Sequence, residues 1–220
     1  MKKYFNTFLL CLLVVLVVVI SCKKDDPMPN DDDPTTPVVF DGTAYEFTYG
    51  SNMSNPNLPS DNPLTVAKVA LGRKLFYENQ LSGDGTMNCA SCHVQEDGFS
   101  DKNQFSTGID GLQGGRQAMP VFNLAWHSNQ FFWDGRADKL RDQAIKPIQD
   151  PLEMNETMEN VRAKLKASEI YPDLFVKAFE DGEITDNNIA LALEAFMFSI
   201  VSSDSKYDQF LRGEATLSAS

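Results

Sequence analysis

The stretch Thr86–Gly98, "TMNCASCHVQEDG", sets Cys89, Cys92 and His93 in the order C-x-x-C-H. With 4 Cys and 2 His in 220 residues, that order arises by chance in roughly one such chain in a thousand, so it is read as chemistry. On a helical turn, residues three and four apart share a face, which puts both sulfurs and the imidazole on one side of the chain. Three chemistries use such a triplet. A haem c would take the sulfurs as thioethers on its vinyl groups and the imidazole as proximal iron ligand. A zinc ion would need four ligands, and His127 is the only other histidine, so carboxylates would have to complete the set. A thioredoxin-like redox pair would stand beside a βαβ pattern, which this chain lacks. Haem c is the reading that needs no ligand or fold context beyond these three residues.

The flanks of the motif are loops. Gly83, Gly85, Gly98, Gly108, Gly111, Gly114 and Gly115 punctuate residues 83–118 around one short helix at Cys89–His93. Loops of this length need something other than backbone ladders to order them, and a large cofactor would do so. Helical periodicity brackets them. Leu64–Tyr77 opens behind Asp61-Asn62-Pro63, a cap followed by an early proline. Downstream, helices are expected over Asp138–Lys146, stopping at Pro147, then over Glu156–Ala167 and Tyr171–Phe179. Another is expected over Asp186–Ser202 behind a Thr185 cap, with Ile189, Leu193, Phe196 and Ile200 on one side, and a last turn over Tyr207–Leu211. No strand pattern stands out. The expected class is all-α, a c-type cytochrome-like haem domain with long ordered loops.

The N-terminus reads as an address. After Met1-Lys2-Lys3 an apolar run of 13 residues, Phe8–Ile20, fits a secretory h-region and is short for a membrane span. Val19-Ile20-Ser21-Cys22 then resembles a bacterial lipobox, which makes 1–21 a lipoprotein signal peptide and Cys22 the lipidation site. Such a protein resides in the periplasm or cell envelope, tethered to a membrane. Residues 22–62, rich in Asp, Pro, Asn and Thr, read as a flexible tether, within which Val38–Tyr49 could dock as an arm. With Cys11 and Cys22 assigned to the leader and anchor, only Cys89 and Cys92 remain, so no disulfide framework holds the domain. A net charge of −12 repels nucleic acid and sets that class of partner aside.

A haem alone does not give a function. An electron carrier closes the sixth iron position with a strong ligand such as Met or His, whereas a peroxidase keeps it open beside an acid–base group. Met119, Met154 and His127 are the side chains to weigh as ligands, although a methionine at helical spacing is more often core, and a loop histidine is more often a solvent-exposed residue.

Two stretches, "LGRKLFYENQLSGDGTMNCASCHVQEDGFSD" and "FFWDGRADKLRDQAIKPIQDPLEM", closely resemble the N-terminal, peroxidatic haem domain of the bacterial dihaem cytochrome c peroxidases. The resemblance covers about Leu64–Gly213. It implies a haem domain over 63–213, with 214–220 starting a linker to a second haem domain whose haem feeds electrons to the first. It implies Cys89 and Cys92 as thioether anchors, His93 as proximal ligand, Trp133 as an aromatic between the two haems, and Asp142 where the family usually has a catalytic glutamate. Arg116 could pair with a haem propionate, since a buried cofactor carboxylate needs a donor. The implied activity is reduction of hydrogen peroxide to water with electrons from a small cytochrome or similar donor. A tethered monohaem electron-transfer cytochrome and a dihaem oxidase acting on another substrate are the alternatives. Ile109, in "STGIDG", stands where inactive-resting members place an iron-sealing histidine. Gln117 replaces an asparagine near the family's calcium site, so calcium is doubtful.

Overall fold

The computed structural model describes residues 37–218. The expected signal peptide over 1–21, the expected lipidation site Cys22 and the expected tether up to residue 36 lie outside the described residues.

The core is built on two crossing helices, α1 (Val66–Phe76) and α6 (Asp186–Ser199). Every residue of helix α6 from Asn188 to Phe198 is buried, which marks it as the central helix rather than a one-faced surface one. It starts at Thr185, whose hydroxyl accepts from the Asn188 amide at 3.1 Å. Helix α1 lies against it at Gly72, where an added Cβ would stand 1.9 Å from the Ala192 carbonyl oxygen, so the crossing requires glycine. Around this pair stand α2 (Leu140–Ala144), α3 (Lys146–Gln149), α4 (Met158–Ala167), α5 (Tyr171–Ala178) and α7 (Lys206–Leu211). Leu71, Leu75, Leu165, Phe175, Ile189 and Leu193 fill the space between them. Among the described residues β structure is limited to isolated bridges, so the fold is all-α as expected.

Three expectations change. Helix α1 is capped by Thr65, whose hydroxyl accepts from the Lys68 amide at 3.2 Å, and not by Asp61-Asn62, which are engaged elsewhere. Pro147 does not end helical structure: the chain kinks at Ile145, and Pro147 sits in the first turn of α3, where its missing N–H costs nothing.

The third concerns the tether over 22–62, which is corrected from residue 38 onward. Residues 38–62 run along the domain as a docked arm, so its boundary moves from 63 to 38. Asp41 and Tyr45 donate backbone bonds to Lys177 and Leu64 at 2.8 and 3.0 Å, and Asn57 donates to Ala125 at 2.8 Å. Phe47 and Tyr49 pack on Trp126 with ring centroids 5.7 and 5.3 Å away, and the Trp126 indole N–H donates to the Ser54 carbonyl. Aromatic anchors bury enough area to order a segment whose polar composition reads as linker.

Candidate active site

The motif folds as a single 3₁₀ turn, Cys89–Ser91, in which the amides of Cys92 and His93 both donate to the Cys89 carbonyl, at 3.2 and 2.9 Å. This turn points Cys89, Cys92 and His93 into one cleft. Both thiols are free. Burial pushes the Cys89 thiol up to about 12 and raises that of Cys92.

His93 is held by its inner nitrogen. Nδ1 lies 2.9 Å from the Met119 carbonyl oxygen and 3.3 Å from that of Phe99. A carbonyl can only accept, so Nδ1 carries the proton and donates. Burial lowers the pKa of the ring, favouring the neutral form. The lone pair of Nε2 is therefore left for a metal, and the bond at Nδ1 makes the imidazole a stronger electron donor.

The cleft has two lobes that share Cys92, His93, Gln143, Pro147 and Glu153. The apolar lobe, of roughly 540 Å³, is lined by Phe76, Met87, Val121, Met154, Leu193 and Met197 as well as Cys89. The second lobe, of roughly 960 Å³, is edged by Arg116, Trp133, Asp134 and Arg136. An apolar slot beside a rim that carries two arginines matches the chemistry of a porphyrin ring with its two propionates. Asn88 adds a second observation. Its Oδ1 is buried beside Cys89 with no donor, while its amide nitrogen donates to Asn79 Oδ1 at 2.7 Å. The residues present fit haem c.

The sequence-derived residues fall unequally on this geometry. Cys89, Cys92 and His93 come together as expected. Arg116 lies at the rim, paired with Asp134 at 3.0 Å, and Asp134 is shared with Arg136 at 2.8 Å. These two guanidinium groups, Arg136 first, hold the Asp134 carboxyl below its ordinary range, and two cations on one carboxylate leave positive charge at the cleft mouth. Trp133 is 60% exposed on the same rim, its indole N–H donating to the Gln117 carbonyl at 2.9 Å. Phe132 beneath it is half-buried, with the Arg136 guanidinium 3.6 Å from its ring centroid.

Asp142 is the correction. It is exposed and lines neither lobe. On α2 each residue turns by 100°, so the face that presents buried Gln143 to the cleft turns Asp142 to solvent. The carboxylate that does line both lobes is Glu153, in the turn after α3. Burial, followed by repulsion from Asp150, raises its pKa against the pull of Arg136. The signal for it was present in "DPLEM", but a turn residue lies outside any helical period.

The loop with Ile109 supports this wall. Gly108 packs so closely that a Cβ would stand 2.2 Å from the Leu152 carbonyl oxygen and 2.6 Å from that of Glu153, and the Ile109 amide donates to Glu153 at 3.0 Å. Ile109 itself lines neither lobe. Met119 contributes its carbonyl to His93, and Met154 is buried in the apolar lobe. His127 is exposed, stacked edge-on against Phe131 at 4.9 Å, and faces a different cavity. Gln117 donates to the Asp101 carbonyl, and among the described residues no group of three His, Cys, Asp or Glu is placed to hold a metal ion.

Residues 66–216 match the family described as di-haem cytochrome c peroxidase. Methylamine utilization protein MauG of Methylorubrum extorquens is 41% identical over 157 residues, covering 71% of this chain and 44% of its own. Cytochrome c551 peroxidase of Pseudomonas aeruginosa is 36% identical over 154 residues, covering 69% of this chain and 44% of its own. A crystal structure of a MauG-like protein associated with microbial copper homeostasis superposes with a TM-score of 0.73 at 34% identity, over 80% of this chain and 52% of that one. The chain thus spans less than half the length of these two curated relatives.

Proposed function

Because this chain belongs to the di-haem cytochrome c peroxidase family, a family that implies haem c, we propose that residues 38–213 form a haem unit that reduces hydrogen peroxide to water. The observation that carries this reading is that Gln143 and Glu153 line the same cleft as Cys89, Cys92 and His93. Cys89 and Cys92 would anchor haem c by thioether bonds, and His93 would bind the iron through Nε2. When bound, haem c supplies the redox-active iron at which the peroxide O–O bond is cleaved.

The chain's own residues do the rest. Met119, accepting from Nδ1–H, fixes the His93 ring and strengthens its donation. Glu153 takes the proton from the inner peroxide oxygen and returns it to the departing outer one, a task for which a partly desolvated carboxylate is suited. Gln143, an amide, orients peroxide without competing for the proton. Arg116 and Arg136, which share Asp134 at the rim, would hold the propionates, and Trp133, exposed on the same rim, would be the entry for electrons from a small cytochrome or similar donor. One haem c is proposed for residues 38–213, held by Cys89, Cys92 and His93. Calcium is not part of the proposal. A periplasmic lipoprotein, anchored at Cys22, remains the proposed setting. No helix among the described residues is long and apolar enough to cross a membrane.

The test is the ferric spectrum of the haem-loaded protein. A high-spin band that changes on adding peroxide supports the proposal. A low-spin spectrum inert to peroxide supports an electron-transfer cytochrome instead.

A further inference from the structure

We infer that Glu194 is a positioning residue: through Arg141 it holds the turn of α2 that presents Gln143 to the cleft. The role given to Gln143 rests on the proposed peroxidase reading, but the mechanical link does not. Glu194 lies on the central helix α6 and is 1% exposed. Its Oε1 accepts from both the backbone N–H and Nε of Arg141, each at 3.2 Å. Its Oε2 forms an ion pair with Arg141 Nη2 at 2.8 Å and accepts from Asn62 Nδ2 at 2.9 Å. The far side of the guanidinium forks onto Asp61, with bonds of 3.1 and 2.8 Å.

The backbone bond is the informative one. Helix α2 has five residues, too few to be stable alone, and Lys139 at its N-cap offers no side-chain bond. The Arg141 amide is one of the first-turn donors that a helix leaves unpaired, and Glu194 supplies its acceptor from another helix. Two residues on, Gln143 enters both lobes of the cleft. Apolar packing of Leu140 and Ala144 could seat α2 with no ions at all, and a buried carboxylate–guanidinium set carries a desolvation cost. What the ions add is a fixed rotation and register for a very short helix. Asn62 and Asp61 extend the clamp to the end of the docked arm.

The experiment compares Glu194→Gln with Ile189→Ala, a cavity on the same helix outside the network, in the full haem-loaded chain. Hydrogen exchange over residues 140–144, the rate constant with peroxide and the melting temperature are measured together. Loss of a charged hydrogen-bond set predicts exchange over 140–144 about tenfold faster, and a peroxide rate about tenfold lower, in Glu194→Gln than in Ile189→Ala brought to equal stability by temperature. Equal exchange over 140–144 and equal peroxide rates in the two variants would overturn the inference. Should Glu194→Gln not fold, Asp61→Asn trims the same guanidinium from its exposed side and shifts both readouts about threefold in the same directions. No change over 140–144 in that variant also overturns it. If the parent protein does not react with peroxide, the peroxidase reading fails on its own, and the exchange data still judge the clamp.

Discussion

At the scale of single residues, Glu153 and not Asp142 is the carboxylate that faces the cleft of Cys89, Cys92 and His93. Asp142 and Glu153 are eleven positions apart, and only burial distinguishes them: one is in solvent, the other in the shared wall of both lobes. A base must be ionised to take a proton, and burial raises the Glu153 pKa. The acid limb of kcat/KM is therefore expected above the value of about 4.3 of an ordinary glutamate, with activity falling as pH drops through it. The pH profile of Glu153→Gln should lose that limb. The convergence of Cys89, Cys92 and His93 was legible because C-x-x-C-H is a spacing rule, and the inward position of Glu153 was not because nothing in "DPLEM" tells which side of a turn faces inward. Trp133 and Arg116 were legible as cleft residues, but the sharing of Asp134 between Arg116 and Arg136 is a three-dimensional fact.

At the scale of elements, helix periodicity located α1, α2 and α4–α7 to within a few residues, but α3 was missed because Pro147 reads as a stop when it in fact sits in a first turn. The crossing of α1 and α6 was not legible, because Gly72 in "LGRKLF" looks like an ordinary helix weakness. Gly72→Ala is expected to destabilise the fold by about 2 kcal/mol or more, since the new methyl meets helix backbone that cannot move aside. Chemical denaturation would check it, and a neutral or stabilising result would mean the helices part easily. Gly108→Ala acts differently. Its Cβ would push on the carbonyls of Leu152 and Glu153, so it should slow the peroxide reaction while leaving covalent haem content intact, as read by the pyridine haemochrome spectrum.

At the scale of the whole molecule, ion pairs tie the arm and the motif loop to the helices. Asp61 is held below its ordinary range by its bonds to Arg141. Glu156 is buried, which opposes its charge, but Lys164 with the Thr157 amide and Asn160 outweighs this and holds its carboxyl low as well. Lys164 also donates to the Ser82 carbonyl at 2.9 Å, linking α4 to the chain just before the motif. Groups with depressed native pKa values stabilise fully above their unfolded values, near pH 4, and lose that stabilisation as pH falls through the native ones. Melting temperatures should therefore drop steeply below about pH 4 and less steeply in Glu156→Gln. The arm itself was only half legible: the Asp, Pro and Asn content of 22–62 is that of a linker, and the aromatic contacts of Phe47 and Tyr49 to Trp126 could not be read from it. The central claim, that Glu153 and not Asp142 serves the haem of Cys89, Cys92 and His93, is tested most directly by stopped-flow measurement of the peroxide reaction. Glu153→Gln should slow it by about 10²-fold or more with Asp142→Asn within about twofold of the parent, whereas a fast Glu153→Gln beside a slow Asp142→Asn would contradict the account.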